Sequence, residues 1–195
     1  MGHRANHGSK PDTGLFYDKS MESGEITEAD AVALLDLMEW AEIDVIVDGG
    51  WGVDALLGHQ TRAHLDLDIA IPADQRRSLR ELLLRAGFSQ IWTADLWEHN
   101  FVLEDDRRRR IDVHSFELDD DGRNVGGVEY QGSHLSGTGR IGERGVRCIP
   151  VDVMIAFHLG YEQDEEDFAD VLALCEAFDR PLPSALERFR KTAGP

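Results

Sequence analysis

Apolar positions recur along this chain with two periods, and their order predicts the elements. Ala31, Leu34, Leu35 and Met38 fall at helical spacing, and Thr27 with Asp30 makes a capping-box-like entry, so a helix is expected through about Trp40. Residues 43–47 are short, apolar and β-branched, which predicts a strand running to Asp48. Gly49 and Gly50 then turn the chain into a short helix through Ala55, Leu56 and Leu57, which Gly58 can end. Leu67, Ile69, Ala70 and Ile71 predict a second strand, broken by Pro72. Asp74 is placed to cap a helix over 75–86, whose Leu79, Leu82 and Leu83 form a stripe and whose end is Gly87. Strands are expected at 88–92, 100–103 and 110–116, with residues 105–108 as a charged hairpin turn.

Residues 119–145 are rich in glycine and polar side chains, with short extended pieces near 128–131, and are expected to form a flap over a substrate. Within them, residues 119–122 lack the later ligands of a calcium loop and read as a turn. A strand at 146–149 ends at Pro150, and helices follow at 155–159, 164–178 and 184–190. Helices and strands in this mixed order, with antiparallel neighbours late in the sheet, argue for an α+β domain. One domain is expected over residues 25–195, with a helical part from about 151, after a polar, aperiodic tail at 1–24. Met21, just ahead of the first helix, is a candidate start.

Composition narrows the partners. With 38 acidic against 20 basic residues the net charge is −18, a field that repels nucleic acid and anionic membranes. The arginines at 107–110 sit among acids and read as a solvated turn. Cys148 and Cys175 have no pairing pattern and read as buried free thiols. No apolar run reaches the length of a membrane span and no basic-then-apolar leader opens the sequence, so a cytoplasmic location is expected.

The candidate chemistry lies between residues 48 and 71. Asp66 and Asp68 flank Leu67 on the second predicted strand, so both carboxylates project from one face. Two such charges repel unless a cation sits between them, and Mg2+ or Mn2+ with oxygen ligands suits the pair. A solvated strand end in an acid-rich chain would look the same. Gly49 and Gly50, at a strand-to-helix junction, let a backbone approach phosphate. Their spacing fits neither the dinucleotide-binding fingerprint nor the P-loop.

The order Gly49-Gly50-Trp51, Asp54, Thr61-Arg62, His64, Asp66 and Asp68 resembles the head motif of small antibiotic-modifying nucleotidyltransferases, the lincosamide group first and the aminoglycoside 2''-nucleotidyltransferases next. The stretch Phe157-His158 and Gly160-Tyr161, with Asp167 and Asp170, also resembles the lincosamide group, so the likeness runs in order over roughly residues 27–175. It implies a polymerase-β-like nucleotidyltransferase fold, a mixed β-sheet flanked by helices. In that superfamily a third carboxylate comes from a later strand, a position that Asp112 matches.

The resemblance implies metal-dependent transfer of a nucleoside monophosphate from an NTP, ATP first, to a hydroxyl of a small molecule, a lincosamide-type antibiotic before all others. Asp66, Asp68 and Asp112 would hold the metal, and Asp112 would act as ligand, general base or both. Gly49, Gly50 and Arg62 would meet the triphosphate, although Arg62 reads equally well as an ion-pair partner. His64 is expected to orient its loop, Trp51 to be core, and His114 and His158 to be hydrogen-bonded core histidines. Residues 163–167 carry no basic side chain for phosphate and suit a cationic acceptor instead. A homodimer is compatible with this reading. Competing expectations are an aminoglycoside nucleotidyltransferase, a protein-nucleotidylating antitoxin and a non-catalytic nucleotide-binding module.

Overall fold

Strand pairing follows from which faces of the strands are apolar. In the computed structural model, which describes residues 24–190, eight strands form one sheet in the order β3-β4-β5-β2-β1-β8-β7, with β6 paired to the far end of β5. The strands are β1 (Ile46–Val47), β2 (Asp66–Pro72), β3 (Ser89–Ile91), β4 (Asn100–Glu104), β5 (Arg110–Leu118), β6 (Asn124–Gly127), β7 (Gly137–Ile141) and β8 (Arg144–Cys148). The helices are α1 (Glu28–Trp40), α2 (Gly49–Leu57), α3 (Arg76–Arg85), α4 (Val151–His158), α5 (Glu165–Ala177) and α6 (Glu187–Arg190). β2 with β5 and β1 with β8 are parallel, and the other pairings are antiparallel, which makes the sheet mixed and the class α+β as expected. The tail at 1–24 and the candidate start at Met21 fall almost wholly outside the described residues.

Alternation divides the sheet. Leu67, Ile69 and Ile71 of β2, Ile111 and Val113 of β5, and Phe101 and Leu103 of β4 bury one face against Leu34, Leu35 and Met38 of α1 and Leu79, Leu82 and Leu83 of α3. Each such side chain stabilises the fold by roughly 1.5–3 kcal/mol. The other face carries Ile46 and Ala70 against Met154 of α4, Leu174 of α5 and Tyr130, and it also carries the acidic residues of β2 and β5.

Local expectations fared unevenly. Thr27 and Asp30 do form a capping box at α1, and Gly58 ends α2 in a left-handed conformation with its N–H on the Asp54 carbonyl. Asp74 does not cap α3: a 3-10 turn over Ala73–Gln75 leads in, and neither Pro72 nor Gln75, at the starts of the turn and the helix, makes a side-chain cap. The supposed flap contributes strands to the sheet, since β6 pairs with β5 and β7 with β8. Its glycines hid the strands by breaking the apolar alternation. Arg108, Arg109 and Arg110 at the β4–β5 turn are paired with Glu104 and Asp105, so they form no free basic patch.

Two buried polar contacts fix what surrounds the acidic face. Asp54 of α2 accepts the Thr61 N–H and hydroxyl and meets His64 Nε2 at 2.5 Å, which pins the connection from α2 to β2. His158 of α4 donates through Nδ1 to the Met154 carbonyl and has Nε2 3.9 Å from Asp170 of α5. Burial opposes charge on His158, but Asp170 outweighs it and the imidazolium is favoured, with the pKa raised from its usual 6.5.

Asp54→Ala leaves His64 buried without its partner and should cost about 3 kcal/mol, read as a lower urea midpoint at unchanged m-value. An unshifted midpoint would mean that the loop is held elsewhere. The His158 contribution is full below its ordinary pKa and fades as pH rises through the raised folded value. Urea unfolding from about pH 5.5 to about pH 8.5 should therefore show a fall in stability that Asp170→Asn flattens.

Candidate active site

Parallel pairing of β2 with β5 places Asp66 beside Arg110, Asp68 beside Asp112 and Ala70 beside His114. Because side chains two apart share a face, Asp66, Asp68, Asp112 and His114 all emerge on the acidic side of the sheet. Ligand atoms of Asp68, Asp112 and His114 lie within 4.8 Å of one another, and His114 Nε2 is 4.0 Å from Asp68 Oδ1. Asp66 stands at the outer edge of the same row.

Electrostatics and packing both point to a cation among them. Burial, then the charges of Asp66, Asp112 and Asp48, push the Asp68 carboxyl well above the usual carboxylate range. Asp112 is pushed up to about 6 by burial, with His114 pulling it down and Asp66 and Asp95 adding to the rise. Burial also raises Asp66, against the pull of Arg62, His64, Arg110 and His114. Asp112 Oδ1 is buried with no hydrogen-bond partner. A hard divalent cation with oxygen ligands fits this donor set, satisfying the unpartnered oxygen and removing the repulsion.

The glycine bend lies directly on these carboxylates. Gly49 has φ +56, and a Cβ there would stand 2.1 Å from Asp68 Oδ2, so only glycine suits the position. At Gly50 a Cβ would meet His64 Nδ1 at 2.5 Å and Arg62 Nη2 at 2.9 Å. Asp48 caps α2 by accepting the Gly49 N–H at 2.8 Å, and the Tyr130 hydroxyl donates to its other oxygen at 2.7 Å. Burial and the Asp48 charge raise the Tyr130 pKa, so the phenol keeps its proton and remains a donor.

A cavity of about 310 Å³ opens beside the bend. Asp48, Gly49, Gly50, Arg62, Asp66, Asp68 and His114 form one side, and Phe157, His158, Tyr161, Asp164, Glu166, Asp167 and Asp170 the other. Asp112 adjoins Asp68 but is not in the cavity wall. Arg62 lines the cavity while Nη2 holds Asp170 at 3.0 Å and Nη1 holds Glu166 at 3.4 Å, so this arginine is an ion-pair partner, as one of its two readings expected.

Three expectations change. His114 is half-buried beside the carboxylates and is no core histidine, a placement its spacing of two from Asp112 on a strand already carried. Asp48 was read only as a strand end, yet it buttresses the bend, and an aspartate directly before two glycines at a helix start was the available signal. Asp54 of the head motif is spent inside the fold on Thr61 and His64. Trp51 and His64 behave as expected: both are buried, with ring centroids 4.7 Å apart.

Asp68→Asn relieves repulsion in the metal-free protein and should raise its stability by about 1 kcal/mol. The same variant should lose the rise in thermal midpoint that Mg2+ gives the parent protein, and a rise retained in full would remove Asp68 from the metal site.

The family model described as aminoglycoside-2''-adenylyltransferase matches residues 30–174. A lincosamide resistance protein of Staphylococcus haemolyticus is 30% identical over 159 residues, covering 77% of this chain and 96% of that protein. The lincomycin-bound crystal structure of the lincosamide antibiotic adenylyltransferase LnuA is similar with TM-score 0.67 at 29% identity, covering 77% of this chain and 97% of that one. ANT(2'')-Ia in complex with adenylyl-2''-tobramycin shares the fold, with TM-score 0.63 at 18% identity over 85% of this chain and 95% of that one. The mixed sheet, the glycine bend against Asp68 and these matches lead to one conclusion: the chain belongs to the aminoglycoside-2''-adenylyltransferase family of nucleotidyltransferases.

Proposed function

We propose that this chain transfers a nucleoside monophosphate, AMP from ATP in the first instance, to a hydroxyl of a lincosamide-type antibiotic and so confers resistance. The observation that carries the reading is the pairing of Asp68 with Asp112 across parallel strands beside the Gly49 bend. The lincosamide preference rests on the resistance protein of Staphylococcus haemolyticus, matched along 96% of its length.

In this reading Asp66, Asp68 and Asp112 would hold Mg2+ or Mn2+, which would supply Lewis-acid polarisation of the phosphate and neutralise charge developing in the displacement. Gly49 and Gly50 leave room for phosphate oxygens at the start of α2, and Asp48 with Tyr130 keeps that bend in place. Arg62 meets the triphosphate, oriented by Asp170 and Glu166. The acceptor oxygen bonds to the α-phosphorus as the bond from phosphorus to the pyrophosphate oxygen breaks, in line. The hydroxyl proton passes to the Asp112 carboxylate. Products are the adenylylated acceptor and pyrophosphate, and the cytoplasm, where ATP is plentiful, is the fitting location.

A second acceptor is favoured by one feature. Asp164, Glu166 and Asp167 line the wall opposite the bend, and three carboxylates there suit the several amines of an aminoglycoside.

Protein supplied with Mg2+, ATP and lincomycin should release pyrophosphate, with tobramycin the second acceptor to assay. Asp112→Asn should lower kcat about a thousandfold with little change in ATP binding, as loss of a general base and ligand requires. Release by the variant at the parent rate, or none from the parent with either drug, would end this reading.

A further inference from the structure

The apolar cluster on the acidic side of the sheet, which holds Ile46, Ala70 and Met154, includes no residue of β3 or β4 among the described residues. Next to Asp112 that face continues over β4 with Val102, which is buried. Register sets Asn100 opposite His114 and Val102 opposite Asp112, so Asn100 shares the face of the proposed base. The Asn100 amide is locked, with Nδ2 donating to Asp95 Oδ2 at 2.8 Å and to the Asp95 carbonyl at 3.3 Å. Its Oδ1 is consequently fixed as an acceptor, and it is buried with no partner, as is Asp112 Oδ1 on the neighbouring strand. Asn100, one pair along from Asp112, therefore serves to hold Asp95 beside the proposed base.

The connection from β3 to β4 supplies the rest. Asp95 is exposed at its tip, and its charge is felt by Asp112 and that of His114 by Asp95, so it stands within electrostatic reach of the proposed base. Trp97 is tied to Asn100 by two backbone hydrogen bonds of 3.0 and 3.2 Å, and its ring leans on His99 with centroids 5.0 Å apart. Even so, Trp97 is 48% exposed, and Trp92 at the other end of the connection is 59% exposed. Held by the backbone but open to water, Trp97 is a preformed platform for an apolar ring face.

We propose that Asn100, Asp95 and Trp97 form the subsite that selects the acceptor. Asn100 holds the Asp95 carboxylate, which faces a protonated amine, and Trp97 covers the less polar face of the same molecule. The ligand class is a hydroxylated ring with a cationic amine, and the inference rests on the reaction proposed at Asp112. The nucleotide stays on the Gly49 side, so the two substrates meet across Asp68 and Asp112.

Binding and turnover are to be read separately. In a Trp40→Phe background, lincomycin and tobramycin are titrated against intrinsic fluorescence with Mg2+ and an ATP analogue carrying a methylene between the α and β phosphates. At least one drug should quench the signal. Asp95→Asn should weaken its binding about tenfold. By calorimetry Trp97→Ala should weaken it about fivefold and Trp97→Phe should restore most of that, while the analogue binds all variants equally. Neither drug binding, variants binding like the parent, or analogue affinity falling in step with drug affinity would each overturn the subsite, the last by giving Trp97 to the nucleotide base. A drug that binds by these residues but yields no pyrophosphate with ATP would refute the transfer reaction alone.

Discussion

Repulsion between carboxylates is the constraint around which this molecule is built. Parallel pairing of β2 with β5 sets Asp68 against Asp112, with Asp66 and Asp48 close by. For two charges within 4.8 Å at an effective dielectric near 20, the cost is on the order of 3 kcal/mol. The pair does not spread because the opposite face of the same strands is bolted down. Leu67 and Ile69 of β2 and Ile111 and Val113 of β5 are fully buried, and together they outweigh the repulsion by roughly a factor of two or three. The strain is held in a form that a divalent cation relieves, which gives the fold a reason to bind one.

The same economy of contacts runs through the glycine bend. Gly49 must be glycine because Asp68 occupies the space of its Cβ, and its N–H is engaged by Asp48, which is itself held by Tyr130 from the segment between β6 and β7. Through these contacts the position of the bend depends on a residue some eighty positions further along the chain. Asp54, His64 and Thr61 secure the other end of α2, so the loop carrying Arg62 is fixed before any ligand arrives.

Much of this was legible in the sequence, for reasons specific to each element. The β2 and β5 strands announce themselves by alternation, and alternation alone puts Asp66 with Asp68, and Asp112 with His114, on shared faces. What joins the two pairs is register, a long-range property that no local pattern encodes; the placement of Asp112 came from resemblance. His114 was undervalued because a histidine among β-branched residues is usually core, although its parity with Asp112 argued otherwise. β7 was missed because Gly137 and Gly139 replace the side chains that would have alternated, Gly139 lying so close to the Ala55 carbonyl that a Cβ would stand 2.3 Å away. Asp74 failed as a cap because Pro72 steered the chain into a 3-10 turn first.

Net charge sets the last condition on function. At −18 the chain repels a triphosphate at long range, so affinity has to arise at short range, from groups whose charge is not already cancelled. Arg108, Arg109 and Arg110 are near in sequence to Asp112 but are each committed to Glu104 or Asp105. Arg62 is the arginine in the cavity wall, and it too is shared with Asp170 and Glu166. A phosphate arriving there would compete with two carboxylates, so in the proposed reaction a cation held by the carboxylates would be the dominant attraction and Arg62 an orienting contact. The arrangement suits a nucleotide that arrives already bound to metal.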